Sequence, residues 1–201
     1  SSTETEQVES ENNPENESTG NRKLLFNRNI FIEKEDFLEE ANRKFFRLTL
    51  GKEVRLKSAY IIRAERVVKN ASGKITEVIC TYDPKSKSGS GTPESKRKVK
   101  GTLHWVSASD GIPVEIREYD RLFKSEAPGS KGEDFFEEIN ESSLKILNGI
   151  AEPSLKVSKI GENYQFQRKG YYTMDKDSNE SKLVFNKTVG LRDTWKKLSS
   201  S

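Results

Sequence analysis

The chain has 201 residues, with 35 Lys and Arg against 32 Asp and Glu for a formal charge of +3; 32% is hydrophobic and 33% charged. Counting glycine, the apolar share is roughly 38% where a globular domain usually carries roughly 45–50%, which argues against one large core and for small modules. No apolar run approaches the roughly 18–20 residues of a membrane span, and one cysteine (Cys80) with one histidine (His104) excludes an internal disulfide and leaves Cys- or His-built zinc and nucleophile chemistry without ligands, so a reducing, cytoplasmic setting is expected.

In chain order, residues 1–20 hold six glutamates, no Lys or Arg, and Val8 as their one strongly apolar residue. Such a segment buries too little to offset an ordering entropy of about 1–2 kcal/mol per residue, so residues 1–22 are expected to form a disordered acidic linker. Asp36-Phe37-Leu38-Glu39 reads as a capped helix start, and Phe37, Ala41 and Phe45 recur at four-residue spacing, which predicts a helix over 36–46. From Val54 the period becomes two. Val54, Leu56, Tyr60, Ile62, Ala64 and Val68 share one face and Arg55, Lys57 and Arg63 the other, which predicts one long strand with a basic outer face. Cations two residues apart are separated by roughly 6.6 Å, comparable to the spacing of phosphates or bases along a nucleic-acid strand.

Asn70–Gly73 predicts a turn and Ile75–Tyr82 its return strand. Pro84–Pro93, rich in Ser, Gly and Lys, reads as a flexible loop. Alternation over Lys98–Val106 places Val99, Leu103 and Trp105 on one side and His104 on the other. Further strands are expected over 114–123, 144–147, 164–168, 171–174 and 183–191, with a short helix over 134–139. The fold class is therefore all-β with minor helices, built as one or two small antiparallel barrels.

The charge is unevenly placed. Outside the first 20 residues all 35 basic residues face 26 acidic ones. Residues 43–66 carry a net +6 (Arg43, Lys44, Arg47, Lys52, Arg55, Lys57, Arg63 and Arg66 against Glu53 and Glu65), and residues 85–100 a net +5. Clustered positive charge on a small β-rich domain is the footprint of a nucleic-acid binder. Catalytic patterns are missing from the sequence: it has no phosphate-binding Gly-x-x-x-x-Gly-Lys-Ser/Thr loop and no Gly-x-Gly-x-x-Gly. Lys87–Gly91 reads as a tether, His104 as structural, Glu137 and Glu138 as a solvated acidic face, and Cys80 as a small apolar strand residue. No catalysis is expected from this chain alone.

Longer motifs carry a resemblance: Leu50-Gly-Lys-Glu-Val-Arg-Leu56, Val99-Lys-Gly-Thr-Leu-His-Trp-Val-Ser107, Pro113-Val-Glu-Ile-Arg-Glu-Tyr-Asp-Arg-Leu-Phe123, Ala151-Glu-Pro-Ser-Leu155 and Asn186-Lys-Thr-Val-Gly-Leu-Arg-Asp-Thr-Trp195. In this order they resemble the C-terminal anticodon-binding region of bacterial-type glutaminyl-tRNA synthetase, a class I aminoacyl-tRNA synthetase. The similarity runs from about Leu24 to Trp195. It implies two β-barrels of the ribosomal-protein-like anticodon-binding type, here a first barrel over 23–125 and a second over 126–198. The final strand either stays in the second barrel or returns to the first.

The resemblance further implies a partner, the glutamine tRNA gripped at its anticodon stem-loop, and a separate N-terminal catalytic domain using ATP and magnesium, with no cofactor in this chain, no membrane contact and a monomeric state. By resemblance Arg55 would read or clamp the first anticodon base, with Lys57 and Ser58 beside it. Gln165 would contact the central uracil, with Arg168 close by. Arg47 and Lys44 would serve the third base, and Thr194 would reach the same pocket. Lys44 and Phe46 depart from the residues common in the family. Two alternatives stand beside this: the anticodon region of an archaeal or eukaryotic-type glutamyl-tRNA synthetase, and a barrel that binds ribosomal RNA.

Overall fold

A computed structural model describes residues 5–130, 132 and 134–191. Strands dominate it, helical structure is confined to short 3-10 turns, and no α-helix occurs among the described residues. The chain divides into two units, residues 1–111 and 112–201. The sequence reading drew this boundary near residue 125. It falls earlier because the strand that starts at Ile112 is bonded entirely within the second unit.

The first unit begins with a hairpin where the composition predicted disorder. β1 (Glu6–Glu11) pairs antiparallel with β2 (Asn21–Phe26). Alternation explains it: Val8 and Ser10 point inward and are buried, while Glu9 and Glu11 stay in solvent. Val8 and Leu24 join the same core as Leu48, Val54, Leu56, Leu103 and Trp105. Ser10 Oγ accepts a hydrogen bond from Ser58 Oγ at 3.0 Å. Glu6 accepts hydrogen bonds from the Tyr60 hydroxyl and from Lys87 Nζ. The polar composition thus conceals one inward-facing row, enough to dock a two-stranded ribbon.

Those bonds, from Lys87 first and Tyr60 second, hold the Glu6 carboxyl below its ordinary value of 4.5. A depressed carboxyl contributes stability above its ordinary pKa and loses it as pH falls through the lowered one. The wild-type chain should therefore exceed a Glu6→Gln variant in urea midpoint at neutral pH. The gap should close on acidification past the carboxylate range, and a gap independent of pH would contradict this.

β3 (Ile30–Ile32) pairs with β8 (Trp105–Ser107). β4 (Glu53–Leu56), β5 (Ile61–Lys69), β6 (Ile75–Asp83) and β7 (Thr102–Leu103) form a four-stranded sheet in the order β6-β5-β4-β7. The single long strand expected from Val54 is two strands joined by a tight turn. Ser58 takes a left-handed φ of 60°, and the Leu56 N–H donates to Tyr60 O at 2.8 Å. The Asn70–Gly73 turn forms as expected, with Asn70 Oδ1 accepting from the backbone N–H of Ser72 (3.1 Å) and Lys74 (2.9 Å).

The helix expected over 36–46 is replaced by a loop closed at its base. Asp36 is not an exposed cap but is fully buried. Phe37 bridges Leu48, the Leu38 N–H donates to Leu48 O (3.1 Å), and the Leu48 N–H donates to Asp36 O (3.0 Å). The four-residue spacing of Phe37, Ala41 and Phe45 marks no helix: Phe37 packs on the core, while Ala41 and Phe45 lie half-buried in the loop.

The second unit is one five-stranded sheet. β9 (Ile112–Tyr119), β10 (Leu144–Ala151), β11 (Asn163–Phe166), β12 (Gly170–Met174) and β13 (Leu183–Val189) run in the order β10-β9-β13-β12-β11. Only the β9/β13 pairing is parallel. The expected short helix is a single 3-10 turn over Phe135–Glu138, capped by Asp134, whose carboxylate accepts from the Phe136 N–H. Phe185 is fully buried at the centre of the sheet's core, with Val114, Ile116, Tyr172 and Met174 around it and Tyr164 and Phe166 packed on it. The strand pairings among the described residues form open sheets and close no barrel.

Candidate nucleic-acid interface

In the first unit, β4 carries Arg55 into a seat lined with oxygen. Its Nη1 donates to Ser86 O (3.0 Å) and Ser88 Oγ (3.2 Å), and its Nη2 donates to Ser95 O (2.9 Å) and Arg97 O (3.3 Å). All four acceptors are neutral, so these bonds spend the donors without cancelling the charge. Partial burial, then the nearby Arg97 charge, lower the Arg55 pKa. Arg55 is thus a clamp on the 84–101 loop, and its guanidinium does not point freely outward.

Lys57 and Ser58 follow in the β4–β5 turn. The Lys57 N–H donates to Leu103 O (2.9 Å), and its carbonyl accepts from Trp105 Nε1 (2.9 Å), so the backbone is fixed from two strands. Ser58 is committed to Ser10 of the hairpin.

Arg47 donates from Nη1 to the buried Asp36 carboxylate at 2.8 Å, with Glu35 Oε1 at 3.9 Å. That contact makes Arg47 the counter-charge of a buried acid, a role the sequence did not signal because Asp36 read as a helix cap. Lys44 is exposed on the neighbouring turn, where its N–H donates to Asn42 Oδ1 (2.9 Å). Phe46 lies exposed nearby with Lys100 Nζ 5.7 Å from its ring centroid, within cation–π range. Gly101 permits this approach, since a Cβ there would strike the Phe46 carbonyl and come within 3.2 Å of Val54.

In the second unit, Gln165 is exposed on β11, the edge strand of its sheet, opposite Tyr171. Its neighbours Tyr164 and Phe166 face the core, so alternation turns Gln165 to the other side. Arg168 sits in the β11–β12 turn with a left-handed φ of 64°. Gln165 and Arg168 therefore share one hairpin. Thr194, like Trp195, lies outside the described residues.

The residues read as non-catalytic have structural surroundings. Cys80 is half-buried on β6, and burial pushes its thiol up to about 11, away from nucleophilic use. Among the described residues no group of three or more His, Cys, Asp or Glu could hold a metal ion, and no helix is long and apolar enough to cross a membrane.

The strand expected over Lys98–Val106 is confined to Thr102–Leu103 and Trp105–Ser107. What the sequence reading missed is the order of Pro84–Pro93, expected to be flexible. Its signal was present but ambiguous: serine- and threonine-rich stretches supply hydroxyls that can tie a loop as readily as they can solvate one. Here they tie it, from Ser86, Ser88, Thr92 and Ser95.

Comparison with known proteins places the sequence in a family. Residues 1–83 and 102–175 each match a sequence family described as tRNA synthetases class I (E and Q), anti-codon binding domain. The chain is 53% identical to a glutamine–tRNA ligase of Photobacterium profundum over 195 residues, 96% of this chain and 35% of that protein. It is 52% identical to one from Vibrio parahaemolyticus and 53% to one from Proteus mirabilis, each over 94% of this chain. The chain spans about a third of the length of these relatives. The first family match covers the hairpin once expected to be a linker, and the second includes the strand that presents Gln165. The chain belongs to the anticodon-binding domain family of the class I tRNA synthetases for glutamate and glutamine.

Proposed function

We propose that this chain reads the anticodon loop of the glutamine tRNA on behalf of a glutamine–tRNA ligase. The catalytic part, with its ATP and magnesium, lies in the remaining two-thirds of such a protein. The observation that carries the reading is the identity of 50% or more to proteins named glutamine–tRNA ligase across nearly the whole of this chain. The two units are read as two small barrel-like modules. Gln165 and Arg168 serve the central uracil from the edge hairpin. Arg55, Lys57, Ser58, Arg47, Lys44 and Thr194 shape the pockets for the flanking bases. The working state is a cytoplasmic monomer joined to its own catalytic domain.

Anticodon bases are single-stranded, so their pairing edges can be splayed out and met by donors such as Gln, Arg and Lys. The test is fluorescence binding of the chain to an anticodon stem-loop of the glutamine tRNA, beside one with the central uracil replaced. Wild type should prefer the first. Gln165→Ala should lose about 1–3 kcal/mol of that preference, with little change in affinity for the altered loop. Equal binding of both loops by the wild-type chain would defeat the reading-head role.

A further inference from the structure

We propose that the 84–101 loop of the first unit is a preorganised grip for the RNA phosphate backbone, and that Arg55 is the positioning residue that holds the grip in shape. This rests on the tRNA-binding reading above, assigns a site to Lys85, Lys96 and Lys98, which that reading leaves unused, and gives Arg55 a further role.

Hydrogen bonds tie the loop between Ser86 and Arg97. Ser86 Oγ accepts from the Ile61 N–H (2.8 Å) and donates to Asp83 O (2.6 Å). Ser88 donates twice to Ala59 O, from its N–H and its hydroxyl, both at 2.9 Å. Thr92 Oγ1 donates to Lys85 O (2.6 Å) and accepts from the Ser95 N–H (3.1 Å). Arg55 spans the two ends, taking carbonyls from Ser86 on one limb and Ser95 and Arg97 on the other. A guanidinium is suited to this because its planar fork offers five donors in fixed directions.

The same order sorts the loop's cations into two sets. Lys87 is paired with Glu6, and Arg97 with Glu53 and Asp83. Those two are consumed in fastening. Lys85, Lys96 and Lys98 are exposed, and no carboxylate engages them among the described residues. Lys100 lies over the exposed Phe46 ring at the foot of the loop. Arg55, bonded to loop residues next to Lys85, Lys96 and Lys98 in sequence, has its guanidinium hydrogen-bonded to neutral oxygens. Three lysines that no carboxylate engages, on a loop fastened through Arg55 and carrying Lys100 over an exposed aromatic at its foot, match a phosphate backbone with a base at its edge. A loop already ordered has little ordering entropy to lose when it binds.

The experiment measures the salt dependence of stem-loop binding for the wild-type chain, the Lys85→Ala/Lys96→Ala/Lys98→Ala triple variant, Arg55→Gln, Arg55→Lys, and Arg55→Gln in the triple background. If the three lysines each neutralise one phosphate, the slope of log K against log salt should become shallower by about 2 in the triple variant, while the preference for the central uracil stays. Arg55→Gln should shift the slope in the same direction and expose the Lys96–Lys98 segment to trypsin, with Arg55→Lys intermediate. In the triple background Arg55→Gln should change the slope no further.

A triple variant that keeps the wild-type slope would overturn the grip. An Arg55→Gln variant that loses base preference with an unchanged slope would overturn the positioning role and make Arg55 a direct reader. Should Arg55→Gln fail to fold by circular dichroism, the triple variant alone still decides the grip. A wild-type chain that binds no stem-loop would defeat the tRNA-binding reading as well, whereas wild-type binding with preference and a silent triple variant would defeat the grip alone.

Discussion

Arg47→Met should destabilise the first unit by about 3 kcal/mol, read as a lowered urea midpoint with an unchanged slope. The Asp36 carboxylate is fully buried, and Arg47 Nη1 is 2.8 Å from it. Removing Arg47 strips a buried carboxylate of a charged partner at hydrogen-bond distance, which costs more than the pair itself contributes. The side chain of Arg47 is 36% exposed, so water reaches part of the guanidinium and the lower end of the usual range applies. The double variant Asp36→Asn/Arg47→Met should recover part of the loss, because it removes the buried charge along with the cation that meets it. A loss below about 0.5 kcal/mol, combined with weakened RNA binding, would instead place Arg47 among the base-reading residues. The comparison matters because both roles predict weaker RNA binding, and only stability separates them.

The contrast between Arg47 and Gln165 shows which parts of such a site a sequence discloses. Gln165 was singled out by the family resemblance, and it lies between two apolar residues of a short alternating strand, so β11 turns it to the side away from the core. Arg47 depended on where Asp36 went. A carboxylate before an apolar run is as consistent with a helix cap as with a buried acid, and only the tertiary bridge between Phe37 and Leu48 decides.

Strand spacing was legible over Ile75–Asp83, Ile112–Tyr119 and Gly170–Met174, where alternation and turn residues agreed. It failed at Ser58, a left-handed turn position without the glycine or asparagine that usually marks one. It failed also at residues 6–26, where two buried apolar side chains and a few polar ties suffice to dock a ribbon of unfavourable composition. In both places the deciding contacts come from segments distant in sequence, and local pattern carries no record of them.

Phe185→Ala should cost the second unit about 3–5 kcal/mol. Phe185 is completely buried on β13, the central strand of the sheet. Its ring lies 6.0 Å from that of Tyr164 and 5.2 Å from that of Phe166, centroid to centroid. Phe166 in turn stacks on Tyr172 at 4.4 Å. Truncation removes the ring's transfer energy and opens a cavity whose walls are the two side chains flanking Gln165. Among the described residues β11 is an edge strand, held on one side, so it is the element freest to collapse into that space. Calorimetry or urea unfolding should therefore show the loss, and hydrogen exchange on β11 should rise ahead of that on β9. Phe185→Leu, which fills most of the volume, should recover much of the stability. At temperatures where Phe185→Ala remains folded, it should also lose preference for the central uracil while keeping the salt slope of the wild-type chain, because the 84–101 loop belongs to the other unit. Stability lost without any change in β11 exchange or in base preference would mean that the Gln165 hairpin is held independently of the core beneath it.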